Sequence, residues 1–231
     1  MIGADLADLT STDVGERARD GAVLVVPLGS TEQHGPHLPL STDTDIAVAL
    51  CRRLAAARQD VLIAPPVAYG SSGEHAGFAG TLSIGQQAIE LLVLELGRSA
   101  CETFEHLLFV SAHGGNAAPL ARAVARLRAE SRDVATFEPR WDGDPHAGHT
   151  ETSLQLWLRP ATVRRERSEQ GDLRPLTELL PLLRAGGLKA VTPNGILGDP
   201  SGASAAEGRQ LLDAVAAALI EEVATWLPVA A

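Results

Sequence analysis

Aromatic side chains are scarce, at 3% of the 231 residues, so the chain offers little surface on which nucleobases could stack. Clustered positive charge is missing as well. Acidic residues number 29 against 19 basic ones, a net charge of −10, whereas a phosphate backbone is bound by concentrated Lys and Arg. Nucleic acid is therefore not the expected partner. No apolar run is long enough to span a bilayer. Residues 1–11 hold Asp5 and Asp8, no basic residue and no leader pattern. A cytoplasmic protein without a membrane partner is expected. Cysteine is nearly absent too. Cys51 and Cys101 lack a Cys-x-x-Cys neighbour and read as reduced, buried thiols. Internal repeats, low-complexity segments and an interdomain linker are also lacking. What remains is 45% hydrophobic and 21% charged, an ordinary globular composition. The length suits one α/β domain covering residues 1–231.

Short apolar runs alternate with longer amphipathic ones. Ala22 to Leu28, Val61 to Ala64 and Leu107 to Ser111 read as buried strands, as in a parallel sheet, and Val134 to Phe137 as a fourth strand. Pro27 has no N–H to donate, so pairing is expected to weaken at the end of its strand. Helices are expected over Thr10–Arg19, Asp45–Ala57 with Thr44 as N-cap, Gln86–Phe104, Pro119–Ser131 and a segment ending near Leu158. Another follows Pro175. The last is capped by Ser204, with Glu207 at capping-box spacing, and runs to about Trp226. This rhythm predicts a three-layer α/β/α architecture with a mainly parallel central sheet.

The strand ends carry the chemistry. The run 24–28 gives way to Gly29-Ser30-Thr31-Glu32-Gln33-His34-Gly35-Pro36-His37-Leu38-Pro39, then Thr42-Asp43-Thr44. Glu32 and His34 are two apart, so in extended chain they share a side. Gly35, Pro36 and Pro39 turn the backbone, which lets Asp43 return to the same space. Imidazole and carboxylate together suit a divalent transition metal, and a carboxylate such as Asp43 can bridge two ions. His113 follows the third strand, before two glycines, and supplies a fourth ligand. His146 and Glu151 frame a helix start. A first-turn carboxylate is ordinary there, but a His and a carboxylate beside a metal site can also move protons or complete the coordination. His149 suits a cap or a supporting role, and His37 suits orienting a ligand through its ring N–H. The glycine-punctuated segment Val67–Thr81 holds Ser72, Glu74 and His75, three candidates for contacting substrate.

The signature from Gly29 to Pro39 with Thr42-Asp43-Thr44 resembles that of creatininase-family metal amidohydrolases. Phe78-Ala79-Gly80-Thr81, His113-Gly114-Gly115-Asn116 and the blocks from His146 to Ser153 match later family motifs in order. Residues 68–75, 143–151, 198–200 and 205–208 are similar to a peptide-trimming branch of the family. The resemblance implies the creatininase-like fold and two divalent ions per chain, Zn, Fe or Mn. Glu32 and His113 would hold one, His34 the other, and Asp43 both. It also implies a homo-oligomer, hexameric in many relatives. One departure stands out. The family enzyme that gives the fold its name has a Glu two residues after the histidine matched by His113, where this chain has Gly115. Glu151 or water fills that place, or the second ion binds weakly, and creatinine is disfavoured as substrate. The implied activity is hydrolysis of a modified precursor peptide, releasing a C-terminal Val-Tyr-derived dipeptide. His146 or Glu151 would protonate the departing amine. A small-molecule amidohydrolase and a non-catalytic, metal-stabilised peptide-binding subunit are the alternatives.

Overall fold

The computed structural model describes residues 5–228. The first four residues of the stretch read for leader signals lie outside the described residues. Strands β1 (Val23–Leu28), β2 (Val61–Ile63), β3 (His106–Ser111) and β4 (Asp133–Phe137) form one parallel sheet in the order β2-β1-β3-β4. Val25 pairs with Ile63 on one side and Leu108 on the other. Phe109 in turn pairs with Thr136.

Side chains alternate across each strand. Leu24, Val26, Leu28, Leu107 and Phe109 face a core closed by α3 (Gly85–Ala100) and α4 (Ala117–Ala129), with α1 (Ser11–Arg19) packed at its edge. Val23, Val25, Leu108 and Val110 face a second core closed by α2 (Thr42–Ala57), α5 (His149–Leu158) and α7 (Ala205–Trp226). The expected three layers are present. The chain moves outward from β1 through α2 to β2, then crosses back through α3 to β3 on the other side of β1. Beyond the carboxyl ends of β1 and β3 this reversal leaves a crevice, the usual place for a site in an open α/β sheet.

Several boundaries differ from the sequence reading. α2 begins at Thr42, not Asp45, and its N-cap is Ser41. Thr44 does not cap. Its hydroxyl donates to the Ser30 carbonyl at 2.9 Å and ties α2 to the end of β1. α3 stops at Ala100, because turns through Glu102 and Thr103 deliver Phe104 to the core. Pro27 weakens pairing on one edge only. β1 stays in register with β3 through Leu28–Ser111, while pairing with β2 ends at Ile63. The missing N–H lies on the β2 side, where the Pro27 carbonyl still accepts from Val67 at 2.9 Å. Ser204 accepts from the Glu207 N–H at 3.2 Å, but the Glu207 carboxylate turns to His149 Nε2 at 2.6 Å, so the capping box is half made. Both cysteines are free. Cys51 is buried and Cys101 only half-buried, because the latter sits at the last turn of α3. Among the described residues no helix is long and apolar enough to cross a membrane.

Candidate active site

Packing at the top of β1 brings the ligand-type residues together. Gly29 lies so close to α2 that a Cβ there would meet Thr44 backbone atoms at 2.4 and 2.5 Å. This contact sets the first turn of α2 over the strand end. Ser30 Oγ donates to Asp43 Oδ2 at 2.6 Å and fixes the carboxylate. A carboxylate in a helix's first turn is also favoured by the N–H groups there. Gly35, at φ +67°, reverses the chain between His34 and His37.

Asp43 is the hub. Its Oδ1 is 3.2 Å from His34 Nε2, and its Oδ2 is 3.2 Å from His113 Nδ1. Glu32 Oε2 lies 3.4 Å from His113 Nε2, and Glu151 Oε2 lies 3.7 Å from His34 Nε2. Two ligand groups result, Glu32 with Asp43 and His113, and His34 with Asp43 and Glu151. Glu32, His34 and His146 form a third possible group. The donors are imidazole nitrogens and carboxylate oxygens, as borderline divalent ions prefer. Glu32 Oε2 is buried and makes no hydrogen bond, an arrangement that normally costs stability and that a bound cation would satisfy. The residues therefore fit a pair of divalent ions.

Electrostatics agree with that fit. Burial pushes Glu32 up, and the nearby Asp43 adds to the shift, to about 8. Burial likewise lifts Glu151 to about 7 against the pull of His34. Burial disfavours charge on His34, yet Asp43, Glu151 and Glu32 outweigh it and raise the imidazole to about 10. His113 is raised to about 10 in the same way by Glu32 and Asp43. Asp43 is buried, but His34 and His113 hold it well below the usual carboxylate range. Without cations, the cluster thus keeps protons on groups that a metal needs bare.

The other residues singled out in the sequence fall around this cluster. His75 Nε2 is 3.3 Å from Glu32 Oε1. His146 Nδ1 is 4.0 Å from both Glu32 Oε1 and Glu151 Oε2. Burial and the neighbouring charged imidazoles depress both, His75 to about 3 and His146 well below its usual value. Ser72 is fully buried, with Oγ 3.3 Å from His113 Nε2, behind the cluster rather than on the cavity wall. Glu74 lies at the mouth, 3.9 Å from His113 Nε2. His37 pairs with Thr152 Oγ1 at 2.8 Å, not with one of the clustered ligand-type side chains, because Thr152 sits across from it on α5. His149 spans Ser201 and Glu207, joining α5 to α7.

Gly115 has a geometric cause. A Cβ there would lie 2.1 Å from the Ser71 carbonyl and 2.6 Å from Glu74 Oε1. The turn carrying residues 71–75 occupies the space a side chain at 115 would need. Glu151 instead reaches His34 and Asp43 from α5, braced by the Ala147 N–H at 2.6 Å.

Two groups of residues were not foreseen. Gln33 donates to Gly195 O at 2.9 Å, and its amide nitrogen is 3.0 Å from both His75 Nδ1 and His146 Nε2. Its place between two ligand-type residues was the only sequence signal. The second is an apolar wall. A cavity of about 540 Å³ opens above the cluster and is lined by Leu176, Leu180 and Leu183 of α6 (Leu176–Gly186), with Leu188, Leu197 and Trp141. The three α6 leucines follow i, i+4, i+7 spacing, which places them on one face.

A family model described as creatinine amidohydrolase, for the creatininase family, matches residues 7–223. The chain belongs to the creatininase family. A mycofactocin precursor peptide peptidase from Mycobacterium tuberculosis (strain CDC 1551 / Oshkosh) is 52% identical over 215 residues, covering 89% of this chain and 86% of that protein. The crystal structure of a creatinine amidohydrolase (creatininase) superposes over the full length of both chains with a TM-score of 0.86 at 23% identity. A second structure, titled "Creatininase Mn", covers 98% of this chain and all of its own, with a TM-score of 0.84 at 22% identity. The creatininase-like α/β fold read from the sequence is therefore the observed one.

Proposed function

We propose that this creatininase-family hydrolase is a metal-dependent peptidase acting on the mycofactocin precursor peptide. The similarity of 52% over nearly the whole chain to a relative of that name carries the substrate assignment. The reading continues to a C-terminal, Val-Tyr-derived dipeptide as the released product. The α6 leucine wall supports a leaving fragment with bulky apolar groups, larger than a small cyclic amide needs.

In this reading Glu32, Asp43 and His113 hold one divalent ion, and His34, Asp43 and Glu151 the other, Zn, Fe and Mn being equally suited by ligand type. When bound, such a pair supplies Lewis acidity and lowers the pKa of a water. The protein's own groups do the rest. Glu151, anchored on the Ala147 N–H, completes the set that Gly115 leaves short. His146, neutral and with Nδ1 facing Glu32 and Glu151, would take the proton lost by the attacking water and return it to the departing amine. Ser72 orients His113 from behind, while Glu74 and His75 border the peptide's path. The chain acts as one cytoplasmic domain, and its copies associate as a homo-oligomer, as the family resemblance implies.

The test is incubation of purified, metal-loaded protein with the modified precursor peptide, followed by mass spectrometry. Release of the terminal dipeptide is expected with at least one of Zn, Fe and Mn. Failure with all three, or faster turnover of creatinine or formamides, overturns the substrate assignment.

A further inference from the structure

Gln33 stands between two histidines of opposite duty, and its hydrogen bonds can be counted. Its Oε1 accepts from the Gly35 N–H at 2.9 Å, and its Nε2 donates to the Gly195 carbonyl at 2.9 Å. Those two partners fix which end of the amide is oxygen. An amide nitrogen has two hydrogens, so one is left for two imidazole nitrogens. His146 Nε2 has another partner, the Gln33 main-chain carbonyl at 3.0 Å, to which it must donate. The remaining hydrogen therefore goes to His75 Nδ1 at 3.0 Å. This assignment gives each of these groups a partner.

We infer that Gln33 is a positioning residue that sets the tautomers of His75 and His146 to opposite effect at Glu32. The inference deepens the reading above, in which His146 moves the proton. His75, accepting at Nδ1, carries its hydrogen on Nε2, the nitrogen that lies 3.3 Å from Glu32 Oε1. With that N–H beside Oε1, the other oxygen, Oε2, which has no hydrogen-bond partner, lies on the His113 side of the carboxylate. His146, donating at Nε2, shows a bare Nδ1 at 4.0 Å from Glu32 Oε1 and Glu151 Oε2. One amide thus gives the site a donor on one side and a proton acceptor on the other. The main-chain carbonyl and the side-chain amide of a single residue do both, so the two tautomers are set together.

The decisive measurement is ¹⁵N NMR of histidine-labelled, zinc-loaded full-length protein, with His75 and His146 assigned through His75→Asn and His146→Asn. Both rings should be neutral and protonated at Nε2. A proton on Nδ1 of either ring in the unaltered protein overturns the inference, and no variant need fold for that result. Gln33→Met removes the donor at nearly constant volume. It should shift His75 toward the Nδ1-protonated form and lower kcat on the order of 10- to 100-fold with KM and zinc content near wild type. Unchanged kcat with unchanged tautomers also overturns it. If the spectra match but no peptide is cleaved by the unaltered enzyme, the functional reading fails and the tautomer assignment stands.

Discussion

At the residue scale, Asp43 concentrates the most consequence. It belongs to two ligand groups at once, so Asp43→Ala should lower metal content at both positions and abolish turnover. Metal analysis beside a kinetic assay checks this, and full activity would refute the shared role. The clustered charges also make a pH prediction. Without metal, Glu32 is raised to about 8 and His34 and His113 to about 10. Groups raised on folding stabilise the folded state below their unfolded pKa, and that contribution is lost as pH climbs through the folded value. The metal-free protein should therefore lose stability between about pH 6.5 and 10 as Glu32 and then the two histidines give up their protons, whereas below about 6.5 the depressed His75 and His146 work in the opposite direction. Metal binding must displace those same protons. Uptake at pH 7 should release about three protons per chain, measurable by calorimetry in buffers of different ionisation enthalpy. Affinity should rise with pH over the range in which stability of the metal-free form falls.

At the scale of the element, the turn 71–75 and Gly115 share one space. Gly115→Ala places a methyl group 2.1 Å from the Ser71 carbonyl. Backbone must move, so a loss of roughly 1–3 kcal/mol is expected, together with weaker metal binding as His113, whose Nε2 the methyl group would also meet, shifts. Gly115→Glu should behave the same way rather than furnish a ligand. Thermal melts with metal analysis of both variants test this. A second prediction concerns α7. Arg58 Nη1 donates to Leu227 O at 2.8 Å, and its Nη2 pairs with Asp60 Oδ2 at 2.5 Å. Arg58→Ala should cost about 1–3 kcal/mol, a fall in Tm of several degrees for a chain of this size, without changing metal content.

The strands were legible because parallel strands covered on both faces must be apolar throughout, and Val23–Leu28 and Leu107–Ser111 have that pattern. Glu32, His34, Asp43 and His113 were legible as candidates because their residue types and strand-end positions limit the chemistry. The start of α2 was misread because Thr44, a good cap by type, is held by the Ser30 carbonyl. Gln33 was passed over for a related reason. An amide earns its role only from its surroundings, and its partners His75, His146 and Gly195 are remote in sequence. The α6 wall was hidden because a run of leucines reads as core until the fold leaves one face beside a cavity.

At the scale of the whole molecule, the ligand-type residues come from the end of β1, the start of α2, the end of β3 and the start of α5. Ions bound there would tie α2 and α5, two helices of one layer, to the ends of the central strands β1 and β3. Removal by chelator should lower Tm, and readdition at about 1,000 times Kd should restore about 4 kcal/mol. Melting at several metal concentrations measures it.

Pro27 has a further consequence for how this scaffold could diversify. On the β2 side, pairing past Pro27 is reduced to one bridge between Leu28 and Val67, so residues 68–84 take no part in any strand register. That stretch can be exchanged for one of different length without realigning a ladder. A chimaera that replaces it with the corresponding segment of a distant relative would carry over the neighbour that faces His113 and Glu32, and with it a different appetite for substrates, on an unaltered foundation.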